Sequence, residues 1–288
     1  RRAAATPDTV LLIDEAGRTL TCREFRDRAE RVAAGFAEVG VGAGTRVTWQ
    51  APNRFETLLA SFALARLGAI QNPILHLYRH KEVGYAITAT KAEVVLVPGE
   101  WNGFDFGAMV HELVADLPAD TRPQVIDIFA ELPEADAAGL GPAPASGDEV
   151  RWIYFTSGTT SDPKGVRHTD RTLITGANGL AVALDMSGDD VGSIAFPFSH
   201  IAGPDYFGTM LLAGFGAVLF EAFVPERAIP VLAANGVTMV GGGTAFYQMY
   251  LGEQRKDPST PIIPSLRKMS GGGAPMPPEI YEEIKREF

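Results

Sequence analysis

A chain of 288 residues that is 46% apolar and 21% charged has the composition of a soluble globular protein, long enough for a large core in one domain or two. Its 25 Lys and Arg against 35 Asp and Glu leave a net charge of −10, which argues against nucleic acid or an anionic membrane as the main partner. Cys22 stands alone, so a disulfide framework and a thiolate metal site are excluded and a reducing, cytoplasmic setting is expected.

The chain opens Arg1-Arg2-Ala3, with neither a methionine nor the apolar segment of a signal peptide, which predicts that preceding residues have been trimmed. Thr21 with Glu24 forms a capping box, and Phe25, Ala29, Val32, Phe36 and Val39 repeat at four and three: an amphipathic helix ending near Gly40. A strand at 47–49 follows, then a helix opened by Asn53 and Glu56 and carrying Leu58, Leu59, Phe62 and Leu67. A strand at 69–72, a helix at 79–88, a strand at 94–97, a helix at 106–117 and a strand at 125–128 continue the alternation. Residues 130–148, rich in Ala, Pro, Gly and acid, read as a surface connection.

A strand at 151–155 leads into Thr156-Ser157-Gly158-Thr159-Thr160-Ser161-Asp162-Pro163-Lys164-Gly165, and a helix is predicted from Asp170 to Leu184. Strands at 191–196, 217–220 and 237–240 then alternate with helices at 201–212 and 226–234. Although residues 228–252 lack any charge, Pro230, Asn235, Gln248 and the run Gly241-Gly242-Gly243 break them into buried elements and turns, and no membrane span is expected. A strand at 266–270 runs into Gly271-Gly272-Gly273-Ala274-Pro275, and a last helix spaces Ile280, Ile284 and Phe288 by four. Repeated βα units predict an α/β fold with two mostly parallel sheets flanked by helices.

The hydroxyl-rich stretch has the chemistry of a phosphate-holding loop. Ser and Thr hydroxyls with successive backbone N–H groups make an anion nest, Gly158 and Gly165 allow close approach, and Lys164 adds a point charge. An ordinary polar turn would explain Gly, Ser and Asp but not Thr-Ser-Gly-Thr-Thr followed by Pro-Lys-Gly. A Walker A loop fails at two places, Pro163 and Gly165, which weakens the reading as a P-loop phosphotransferase.

The stretch resembles the phosphate-binding signature of the adenylate-forming superfamily, spelled Y-T-S-G-T-T-G-x-P-K-G-V, with Phe155 inserted here and Ser161 in place of the third Gly. Phe196 to Gly203 resembles the family's aromatic-or-His element, and Ser270 to Met276 resembles its S-G-G-A-P-[LM] element, with the extra Gly271 leaving the register open by one. The resemblance implies the layered αβαβα N-terminal domain, with approximate subdomains 1–47 plus 190–288 and 48–189. It also implies ATP, Mg²⁺ and coenzyme A as cofactor and co-substrates, and a small carboxylic acid as substrate.

On this resemblance Thr156, Ser157, Gly158, Thr159, Thr160 and Lys164 hold the β- and γ-phosphates, with Thr159 towards the metal. His200 and Gly203 face the carboxylate and α-phosphate. Gly272, Gly273, Ala274 and Pro275 line the adenine and acyl site, and Gly243 and Thr244 border the acyl pocket together with Ile201, Phe207, Phe246 and Tyr247. The family's ribose-binding Asp, metal-binding Glu and mobile C-terminal domain with its lysine have no counterpart in these residues, and a truncated N-terminal domain is expected.

Amino-acid-activating members carry an Asp where this chain has Ser199, with Asp205 on the following helix instead, which favours an acid without an α-amino group. Fatty, aromatic or alicyclic acids suit the apolar lining. An amino-acid adenylation domain and a non-catalytic nucleotide-binding homologue remain alternatives, and a homodimer is left open.

Overall fold

The computed structural model describes residues 1–156 and 163–288. The chain divides into two compact units, one of residues 1–23, 178–196 and 206–288, the other of residues 24–177 and 197–205.

The second unit is built on a six-stranded sheet. In spatial order its strands are Lys164–Thr169, Val150–Thr156, Ile70–Pro73, Arg46–Trp49, Val94–Val97 and Gln124–Asp127, parallel throughout except for the edge hairpin that Lys164–Thr169 makes with Val150–Thr156. All four residues of Val94–Val97 are buried, as a central strand covered on both faces requires. On one side Val83, Ala86 and Ile87 of helix His80–Thr90 pack with Phe106, Met109 and Val110 of helix Phe106–Val114. Helix Phe55–Leu67 is enclosed more completely: Leu58, Leu59 and Leu64 are fully buried. Each such leucine contributes roughly 1.5–3 kcal/mol.

The strand that feeds the hydroxyl-rich segment is fixed by polar side chains inside the sheet. Gln71 stands opposite Trp152, and Asn72 donates Nδ2–H to the Ile153 carbonyl at 2.8 Å. Gln71 in turn accepts at Oε1 from Trp49 Nε1 (3.1 Å) and Ser61 Oγ (2.9 Å) and donates Nε2–H to the Ser61 carbonyl (2.9 Å), so this fully buried amide is satisfied at both ends.

The first unit carries a four-stranded sheet ordered Val191–Ile194, Gly216–Leu219, Val10–Asp14 and Thr19–Thr21, again parallel but for its edge hairpin. A parallel pair, Met239–Gly242 and Lys268–Gly271, carries the two glycine-rich turns. Asp190 anchors this pair. Burial opposes ionisation of its carboxyl, yet the Ser187 N–H, Lys268 Nζ (3.0 Å) and Thr238 Oγ1 (2.9 Å) together hold it below the usual carboxylate range.

The expected α/β class with mostly parallel sheets and flanking helices is what the chain adopts. Several elements lay outside the sequence pattern, among them these. Val10–Asp14 and Thr19–Thr21 form a hairpin, Lys164–Thr169 continues as a strand where a loop was expected, and Thr244–Gln254 is a helix. No helix among the described residues is long and apolar enough to cross a membrane.

Candidate active site

Ser157, Gly158, Thr159 and Thr160, with Ser161 and Asp162, lie outside the described residues. The ends of their segment are defined. Thr156 closes one strand and Lys164 opens the next, in register with each other, and both are exposed. Tyr85 ties the returning end down: its hydroxyl donates to the Pro163 carbonyl at 2.9 Å while its ring meets Phe155 edge-on at 5.5 Å. Lys164 forms no ion pair with any described residue.

The strand's inward side chains are apolar or sealed. Tyr154 stacks on Trp152 (6.5 Å, 8°), and these two pack with Leu173 and Ile201. Burial, and next the nearby Asp205 charge, push the Tyr154 hydroxyl well above its ordinary pKa. At the strand's start Arg151 donates to Asp170 Oδ2 (2.8 Å) and Trp152 Nε1 to Asp170 Oδ1 (2.9 Å), which fixes where helix Asp170–Ala183 begins.

His200 lies in the turn before helix Ala202–Ala213. Its N–H donates to the Pro197 carbonyl (3.0 Å), and its own carbonyl accepts from Gly203 N–H (2.8 Å). Its ring Nδ1 accepts from Ala202 N–H at 3.2 Å, so the neutral ring carries its proton on Nε2. Partial burial lowers the imidazole pKa, and the residue still keeps an exposed face. The side chain thus caps a helix with one nitrogen and leaves the other as a donor.

Ser199 is 2% exposed and its Oγ has no partner among the described residues. Asp205, one turn into the helix, faces Gly176, where a Cβ would stand 3.4 Å from Oδ2. Burial pushes its carboxyl up to about 6. A carboxyl raised in this way contributes stability that is complete below about pH 4 and lost as pH rises through 6. Asp205→Asn is therefore expected to gain on the parent chain above pH 6, by at most about 3 kcal/mol, with the gain vanishing near pH 4. Thermal unfolding from pH 4 to 8 checks this, and parallel curves for the two proteins would refute the assignment.

In the other unit, residues 241–244 and 271–275 take in the ends of the paired strands and the turns after them. Thr244 Oγ1 donates to the Pro275 carbonyl at 2.6 Å, so this hydroxyl ties one turn to the other. The three consecutive glycines of the second turn differ in physical role. A Cβ on Gly271 would stand 2.5 Å from the Tyr247 hydroxyl, Gly273 adopts φ +76°, and Gly272 has open space around it. The first two are required by the fold itself, which leaves Gly272 as the glycine that packing does not demand. Gly243 N-caps helix Thr244–Gln254, and Ala274 lies 3.9 Å from where its Cβ would be.

Of the side chains expected to line an apolar pocket, Phe207 is fully buried, Tyr247 is 5% exposed, and Phe246 packs on Phe223 at 5.3 Å. No group of three or more His, Cys, Asp and Glu side chains able to hold a metal ion occurs among the described residues.

Comparison with known proteins identifies the family. The chain is 30% identical to a salicyl-AMP ligase / salicyl-S-ArCP synthetase of Mycobacterium tuberculosis, over 97% of its own length and 51% of that protein. It is 29% identical to a 2-hydroxy-7-methoxy-5-methyl-1-naphthoate–CoA ligase of Streptomyces carzinostaticus, over 98% of its length and 53% of that protein. The chain thus spans about half the length of the curated relatives it matches. Among solved structures, o-succinylbenzoate coenzyme A synthetase from Bacillus subtilis in complex with its acyl-adenylate intermediate superposes with a TM-score of 0.83 at 24% identity, covering 99% of this chain and 70% of that one. The family model of AMP-binding enzymes matches residues 1–288, and the chain belongs to that family.

Proposed function

We infer that the protein carrying this chain activates a carboxylic acid with ATP and passes the acyl group to coenzyme A. The substrate carboxylate oxygen attacks the α-phosphorus of ATP. The bond from that phosphorus to the bridging oxygen breaks, and pyrophosphate leaves. The coenzyme A thiol, giving up its proton, then attacks the acyl carbonyl and expels AMP. Both steps bring anions together, so the protein's contribution is alignment and charge stabilisation.

The observation that carries this reading is the edge hairpin, which sets Lys164 opposite Thr156 at the two ends of the Ser/Thr/Gly segment, without a carboxylate partner among the described residues. A lysine so placed meets the departing pyrophosphate charge, with Thr156, Ser157, Gly158, Thr159 and Thr160 around the phosphates. His200 Nε2–H is the donor to the substrate carboxylate and α-phosphate; burial lowers the imidazole pKa, which favours the neutral ring, and the Ala202 N–H on Nδ1 sets the tautomer. Gly272, Gly273, Ala274 and Pro275 present backbone to the base, with Gly243, Thr244 and Gly203 beside the acyl group. Mg²⁺ accompanying ATP would neutralise phosphate charge, with Thr159 towards it.

The acid is proposed to be fatty, aromatic or alicyclic and to lack an α-amino group, because the position that would pair an ammonium is Ser199. The named relatives act on aryl acids, and a further relative, 24% identical, is a medium-chain fatty-acid–CoA ligase of Escherichia coli. Carboxylate-dependent ATP–pyrophosphate exchange by the full-length protein over a panel of such acids tests reaction and substrate together. Exchange with none of them would overturn the proposal.

A further inference from the structure

The turn that carries His200 hangs from one buried side chain distant in sequence. Asn53 Oδ1 accepts the Phe198 backbone N–H at 2.7 Å across 145 residues of chain, and Asn53 is only 4% exposed. Its own position is set by helix Phe55–Leu67, whose Thr57 hydroxyl donates to the Pro52 carbonyl at 2.6 Å. The Phe198 ring, fully buried, stacks on Trp49 at 6.3 Å and 20°. From Phe198 the chain runs through Ser199 to His200, whose N–H bonds back to Pro197 and whose Nδ1 takes the Ala202 N–H. A shift of the Phe198 amide is therefore passed within two residues to the imidazole.

We propose that Asn53 is a positioning residue for the adenylation step: by accepting the Phe198 N–H it sets the His200 ring so that Nδ1 stays an acceptor and Nε2–H points to the substrate. The proposal rests on the reaction assigned above. An amide carbonyl suits the task because it satisfies a buried backbone N–H with a fixed acceptor. Loss of the acceptor leaves a buried N–H unsatisfied, and the turn relaxes towards water to recover it.

The test compares Asn53→Leu, which keeps the shape without the acceptor, with Asn53→Asp, which keeps an acceptor. The His200 ring nitrogens are observed by ¹⁵N NMR at pH 8, without substrate. The parent and Asn53→Asp are expected to show Nδ1 as the unprotonated nitrogen, and Asn53→Leu a mixture of tautomers with Phe198 amide exchange at least 10-fold faster. In the exchange assay Asn53→Leu is expected to lose at least 10-fold in kcat with little change in the ATP KM, and to add nothing further when His200 is already alanine.

Unchanged ring nitrogens in Asn53→Leu, additive losses with His200→Ala, or a tautomer mixture in Asn53→Asp would each overturn the proposal. Should Asn53→Leu not fold, the Asn53→Asp spectrum decides alone. If the parent protein shows no exchange with any acid, the assigned reaction falls, while the ring spectra still decide whether Asn53 sets His200.

Discussion

Lys164→Ala is expected to weaken ATP binding by about 10- to 100-fold, because one charge-assisted contact to phosphate is worth roughly 1.5–3 kcal/mol. The side chain is exposed, opens an edge strand and has no ion-pair partner among the described residues, so its removal leaves the fold intact. Its melting temperature should match the parent's, as surface substitutions usually stay within about 0.5 kcal/mol. Calorimetric titration with Mg–ATP measures the loss. It should shrink as salt is raised, because an exposed cation is screened. Equal affinities in the two proteins at low salt would remove Lys164 from the phosphate site, and with it the main support for the hairpin as the nucleotide-holding element.

Much of this architecture is written in periodicity. The helices over 22–38, 55–67, 80–90 and 106–114 follow apolar spacing closely, because each lays one stripe against a sheet or is buried outright. The elements that escaped are those whose stability comes from elsewhere. Lys164–Thr169 has an almost wholly polar and exposed surface and owes its strand state to pairing with Val150–Thr156, so no alternation marks it. Helix Thr244–Gln254 starts at Gly243 with no side-chain cap, and its buried set of Tyr247, Tyr250, Leu251 and Gln254 mixes polar with apolar. The neighbouring glycines read as a turn and hid its start.

Site residues were legible as types and not as duties. Gly271 looked like a surplus glycine, yet the Tyr247 hydroxyl leaves no room there for a side chain. Asn53 was visible only as a helix opener, because its bond to Phe198 joins segments that no local pattern relates.

Gly203→Ala is expected to be the most damaging small substitution near the site. A Cβ at Gly203 would overlap the Phe198 carbonyl oxygen and stand 2.7 Å from both the Phe198 carbonyl carbon and Cα. Those are backbone atoms already held by Asn53 and by the stacked Trp49, so no flexible side-chain end is available to move aside. Overpacking of this kind costs about 1–3 kcal/mol and more where the surroundings cannot yield. Whatever yields must be the stretch from Phe198 to Gly203, since helix Ala202–Ala213 starts immediately behind it. The substitution should therefore lower the melting temperature and the exchange rate together.

Gly179→Ala is the matched control. That glycine lies within helix Asp170–Ala183 with open space around it, so added methyl bulk meets nothing and helix propensity gains roughly 0.5–1 kcal/mol. If Gly203→Ala melted with Gly179→Ala and kept full exchange activity, the turn around His200 would be soft. The imidazole would then find its place only when substrate arrives, and preorganisation would have to be sought in the hydroxyl-rich segment instead.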